Sequence, residues 1–109
     1  MKHFEVFSAK QRIFAEEDLG NVMYVLVEGR VSLAVRSETV EELGPGGVLG
    51  EMALIDGSPR TATATALTDC RLVALNGYQF EFLVKQEPRF ATHLLKVMAR
   101  RLRAANKKS

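Results

Sequence analysis

A chain of 109 residues, 47% apolar and 26% charged, has room for one globular domain with one modest core, and for no second folded unit. No apolar run approaches the ~20 residues of a membrane span, and the opening MKHFEVF lacks the apolar stretch of a secretory signal. The net charge of +2 divides into a body of about −4 and a tail of about +6, because all 13 acidic residues lie at or before Glu87 while six of the 15 basic ones lie between Lys96 and Lys108. A soluble, cytoplasmic protein with no membrane part is therefore expected. Its basic end could touch nucleic acid or an acidic partner, or simply be the solvated side of a terminal helix.

Residues 4–75 read as short β segments broken by turn residues. Residues 23–27 (MYVLV) and 31–35 (VSLAV) flank Glu28-Gly29-Arg30, which predicts a hairpin. Residues 39–43 form another segment, stopped by Gly44-Pro45-Gly46-Gly47. A Thr/Ala alternation over 61–66 and the run CRLVAL over 70–75 complete the pattern. Short strands at this spacing predict a mainly β fold with C-terminal helices, an antiparallel β-barrel or jelly roll over about 4–75. From Asn76 or Gly77 the period becomes helical. One helix ends before Pro88, and a second begins there and runs to about 105, within a single domain of residues 1–109. In the second helix Leu95, Met98, Leu102 and Ala105 step by 3, 4 and 3, as in a short coiled-coil seam. That stripe serves either a homodimer or the domain's own core.

The stretch over 46–65, GGVLGEMALIDGSPRTATAT, carries the chemistry. Between Gly50 and Gly57 the run Met52-Ala53-Leu54-Ile55 has room for about one helical turn, whose first amides would face an anion. Arg60, behind Ser58-Pro59, would place a guanidinium fork beside those amides. Glu51 could accept hydrogen bonds from sugar hydroxyls. Together they describe a pocket for a sugar phosphate, although a Glu and an Arg nine residues apart also make ordinary surface ion pairs.

Gly50-Glu51-Met52-Ala53-Leu54 followed by Ser58-Pro59-Arg60-Thr61-Ala62 resembles the phosphate-binding cassette of cyclic nucleotide-binding domains. Such domains occur in catabolite-activator-type regulators, protein kinase A regulatory subunits and cyclic-nucleotide-gated channels. Ile13-Phe14, residues 23–31 and Leu43-Gly44-Pro45-Gly46 are similar to the family as well, so about 4–105 is covered. The resemblance implies a sensor of cAMP or cGMP with no other cofactor. Glu51 would hold the ribose 2′-hydroxyl and Arg60 the cyclic phosphate. The amides of Gly50, Ala53 and Thr61 would complete the cradle, and a threonine at 61 leaves room for guanine. The base lid would come from the region 94–102, and the signal would pass through the C-terminal helix or self-association.

The chain also departs from the family. Little precedes the first strand, and no helix-turn-helix follows the last helix, so neither a stand-alone transcription factor nor DNA binding is expected. Where members commonly read Glu-Gly-Asp-x-Gly-Asp, this chain reads Glu16-Glu17-Asp18-Leu19-Gly20-Asn21. Glu17 and Lys10 occupy glycine positions, and Asn21 stands where an aspartate would orient the arginine. Glu17 is either a solvated loop acid or a carboxylate that takes the phosphate's place on Arg60, within the chain or across a dimer. In the second case the protein would be a dimerisation or protein-interaction module with a blocked pocket and an unknown protein partner. No enzyme is expected, and no catalytic residue or metal ligand is assigned. His3 and His93 stand at opposite ends of the chain, and Cys70, the single cysteine, lies in a β run without a partner base.

Overall fold

Alternation of apolar and small polar residues gives the first three-quarters of the chain its strands. The computed structural model describes residues 4–107, with the side chain of Lys107 left aside; His3 and Lys108 lie outside the described residues. The strands are β1 Phe4–Phe7, β2 Arg12–Phe14, β3 Met23–Glu28, β4 Val31–Val35, β5 Glu38–Leu43, β6 Val48–Leu49, β7 Thr63–Ala66 and β8 Cys70–Leu75. One short helix, α1 Met52–Ile55, interrupts them, and α2 Gly77–Gln86 and α3 Pro88–Lys107 follow. Two four-stranded antiparallel sheets result, ordered β1-β8-β3-β6 and β2-β7-β4-β5. They stay open at their edges, as two layers of a jelly roll, and do not close into a barrel.

The core lies between the sheets. Tyr24, Leu26, Leu49, Cys70 and Leu72 from the first meet Val31, Leu33, Leu43, Ala64 and Ala66 from the second. In β7 the alanines at 64 and 66 face inward and the threonines at 63 and 65 are half-buried, so the Thr/Ala alternation sorts by size and polarity.

The hairpin expected around Gly29 does not form. β3 pairs with β6 and β8, whereas β4 pairs with β5 and β7, so the two segments belong to different sheets. Gly29 instead turns a corner between the layers. Its φ is +100°, and a Cβ there would stand 2.5 Å from the Asp69 carbonyl oxygen and 2.7 Å from Cys70 Sγ. The connection from β7 to β8 turns the same corner alongside, and the Leu67 N–H donates to the Arg30 carbonyl at 2.8 Å. A true hairpin does join β4 to β5, through Arg36 and Ser37 at φ of 51° and 68°. Two consecutive left-handed residues match the twist of the flanking strands, here without glycine or asparagine.

The chain divides into two compact units, one up to Gly77 and one from Tyr78. In the second, Phe80 and Phe90 meet edge to face with centroids 6.2 Å apart. Pro88 opens α3, where its missing N–H costs nothing. Helix α3 buries Leu94 and Val97 but leaves Leu95 and Leu102 exposed. The seam through 95, 98 and 102 is thus not the face that this chain buries. Among the described residues no helix is long and apolar enough to cross a membrane.

Candidate functional site

The ladder between β2 and β7 continues past its last strand pair and brings two loops together. The Glu16 N–H donates to Thr63 Oγ1 at 2.9 Å. Beyond it, the Glu17 N–H donates to the Arg60 carbonyl and the Arg60 N–H to the Asp18 carbonyl, both at 2.8 Å. Residues 15–18 form a tight turn, closed by the Asp18 N–H on the Ala15 carbonyl at 3.1 Å. Glu17, third in that turn, has φ of 75°, the left-handed value that favours glycine. Lys10, where the resemblance implies glycine, also has φ of 75°.

From the other side, α1 approaches through Gly50 at φ +77°. Glu51 caps this single turn, and the N–H groups of Met52 and Ala53 open it with no intrahelical carbonyl before them. The turn ends at Asp56, whose Oδ1 accepts from the Ser58 N–H at 3.0 Å and from the Ser58 hydroxyl. These two bonds, the hydroxyl's above all, hold the exposed Asp56 carboxyl below the usual aspartate range. The resulting Asx turn aims Pro59 and Arg60 back toward the core.

Arg60 is 5% exposed and Glu51 6% exposed, the charged groups that the described residues bury most completely. Arg60 Nη1 donates to the Gly50 carbonyl at 3.1 Å, and its Cζ lies 4.3 Å from the centroid of the Phe14 ring. No carboxylate among the described residues makes an ion pair with it. Burial pulls its pKa below the ordinary arginine value, and nearby Tyr24, Asp18 and Glu51 work against that shift. Arginine nevertheless stays protonated at any physiological pH. The site therefore holds a buried cation with one hydrogen bond from five N–H donors, a constellation suited to an anion with several acceptor oxygens.

Of the residues singled out in the sequence, Gly50, Glu51 and Arg60 come together here. Ala53 is half-buried in α1, and Thr61 is exposed beside Arg60. Asn21 is exposed and makes no hydrogen bond to the guanidinium. Glu17 is exposed too, and meets Arg60 through its backbone; its carboxylate makes no ion pair with Arg60 among the described residues. Sequence reasoning missed Phe14, Gly20 and Tyr24 as site residues. A Cβ on Gly20 would stand 2.5 to 2.6 Å from Arg60 Cζ, Nη2 and Nε, and one on Gly50 would run into Nη1. Burial raises the Tyr24 pKa most, Glu5 adds to it and Arg60 opposes, so the phenol stays neutral.

Comparisons with known proteins show the family of this fold. The cyclic nucleotide-binding domain family matches residues 4–87. A CRP-like cAMP-activated global transcriptional regulator of Mycobacterium tuberculosis is 31% identical over 105 residues, covering 92% of this chain and 47% of its own length. A cyclic nucleotide-gated potassium channel of Mesorhizobium japonicum is 42% identical over 86 residues, 79% of this chain and 24% of the channel. The crystal structure of the Thermus thermophilus catabolite activator protein superposes with a TM-score of 0.84 at 32% identity, covering 98% of this chain and 53% of that one. The chain thus spans about half the length of the regulators it matches, and a smaller part of the channel. By sequence and by fold, it belongs to the cyclic nucleotide-binding domain family.

Proposed function

We propose that this chain is a regulatory sensor module, a binding domain and not a catalyst, which takes cAMP or cGMP with the cyclic phosphate on Arg60 and the ribose on Glu51. The observation that carries this reading is the 5% exposure of an arginine that, among the described residues, has no ion pair and one side-chain hydrogen bond. A buried charge without a direct ion-pair partner is costly, and a phosphate would offset that cost with charge-assisted hydrogen bonds. The backbone amides of Gly50, Ala53 and Thr61 are the further donors in this reading. The Thr61 hydroxyl, exposed beside Arg60, keeps both bases in play.

Calorimetric titration with each nucleotide tests it. A micromolar dissociation constant is about −8 kcal/mol, and a hundredfold excess over that constant should raise stability by ~2.7 kcal/mol. Saturable heat that disappears in Arg60→Ala supports the reading, and silence with both nucleotides overturns it. We further read the exposed Leu95 and Leu102 of α3 as a homodimer seam through which binding is passed on. Sedimentation of the full chain checks this, since Leu95→Glu with Leu102→Glu should leave a monomer. A wild-type monomer at high micromolar concentration would sink the seam and leave the signal to an unknown protein partner.

A further inference from the structure

An arginine fork serves an oxyanion only if its plane is held, and a single hydrogen bond leaves the guanidinium free to pivot. Hydrogen bonding supplies one restraint, from Nη1 to the Gly50 carbonyl at 3.1 Å, and no carboxylate among the described residues supplies a second. Two contacts with its flat faces remain. The Phe14 ring lies 4.3 Å from Cζ, within reach for a cation over an aromatic face. The missing Cβ of Gly20 marks the other contact. A point about 2.5 Å from Cζ, Nε and Nη2 alike stands above the guanidinium plane, because the only in-plane point equidistant from those atoms is far closer to them. The backbone at Gly20 therefore lies against a face of the group and limits its tilt.

Phe14 is itself held. It stacks on Tyr24 with centroids 6.2 Å apart and planes 24° from parallel, and Phe7 meets Tyr24 edge-on at 6.5 Å. Phe7, Tyr24 and Phe14 come from β1, β3 and β2, so three strands from both sheets fix the last ring of this column. We propose that Phe14 is a positioning residue for anion binding: it orients Arg60 through its ring face, in place of a carboxylate. This rests on the reading that Arg60 takes the phosphate. The consequence is that the arginine keeps its full charge for the ligand, since an aromatic face orients a guanidinium without neutralising it.

The test separates a ring from mere bulk. Phe14→Leu, with Phe14→Ile as a second apolar variant should leucine fail to fold, is compared with Phe14→Tyr. Kd for cAMP and cGMP is measured by calorimetry, the melting temperature without ligand is recorded, and the Arg60 Nε–H resonance is followed by NMR. Ring-current shielding should displace that resonance in the wild type and in Phe14→Tyr, and should vanish in the aliphatic variants. Their affinity should fall about tenfold while Phe14→Tyr stays within about threefold of the wild type. Unchanged affinity in an aliphatic variant, or an Arg60 resonance indifferent to the ring, overturns the proposal. An equal loss in Phe14→Tyr also overturns it. If the wild type binds neither nucleotide, the functional reading fails by itself, and the Arg60 resonance still decides whether Phe14 holds the guanidinium.

Discussion

Replacing Gly20 by alanine isolates the guanidinium slot. Gly20 is not among the residues with positive φ, so an alanine there meets no backbone strain and even lowers the entropy of the unfolded chain. Its single methyl would stand 2.5 to 2.6 Å from Arg60 Cζ, Nη2 and Nε, about 0.9 Å inside ordinary contact at each. All three atoms belong to the end of a flexible side chain, so the guanidinium can swing away without moving the backbone. Overpacking costs about 1–3 kcal/mol where a core cannot yield, and this site should fall at the low end or below. The swing nevertheless takes the fork off the Phe14 face and off the Gly50 carbonyl. Loss of one charge-assisted hydrogen bond to the ligand's phosphate would be worth about 1.5–3 kcal/mol, so nucleotide affinity should fall at least tenfold. Melting curves and calorimetry on Gly20→Ala read the two effects separately. Wild-type affinity would refute the assignment of Arg60 as the anion anchor. A melting temperature lowered by more than about 10 °C would refute the claim that the methyl meets only a movable group.

Other outcomes follow from the backbone and from one titrating group. Glu17→Gly should raise stability by about 1 kcal/mol, because it relieves a left-handed residue at φ 75°; an unchanged denaturation midpoint would count against that strain. Gly29→Ala should cost about 3 kcal/mol or more, since its Cβ meets the fixed Asp69 carbonyl at 2.5 Å and φ is +100°, and near-native stability in urea would show that the corner can yield. Asp56 should titrate below the usual aspartate range, and Ser58→Ala should move its NMR titration back up. A folded-state pKa below the unfolded value means that the small stabilisation is present above the unfolded value and lost as pH falls through the folded one. An Asp56 titration insensitive to Ser58→Ala would contradict the Asx turn.

Much of the site was legible because Gly50, Glu51 and Arg60 lie in one stretch whose geometry is set locally. Gly50 and Gly57 bracket four residues that form one turn, and Ser58-Pro59 restrict the approach to the arginine. The left-handed backbone at Lys10 and Glu17 agrees with the resemblance, which implies glycine at both positions. Phe14 was not, because it reaches Arg60 from 46 residues away through the pairing of β2 with β7, and nothing near Phe14 in the chain marks it as an arginine's neighbour.

The sequence by itself determined where most strands and helices lie. Segments 31–35, 52–55 and 70–75 follow from patterns a few residues long, since alternation, turn residues and glycine spacing act at that range. Only the tertiary structure decided which strands pair. Val25 had no local reason to choose Val73 over the segment just across Gly29, and that choice depends on burying both sheet faces at once. The left-handed turn at Arg36 and Ser37 was likewise imposed by the twist of β4 and β5 on residues that do not favour it. In α3 the pattern marked a stripe through Leu95, Met98, Leu102 and Ala105, yet packing buried Leu94 and Val97 while Leu95 and Leu102 stayed exposed. Burial is a property of the whole fold, whereas the period of a helix is a property of its own few turns.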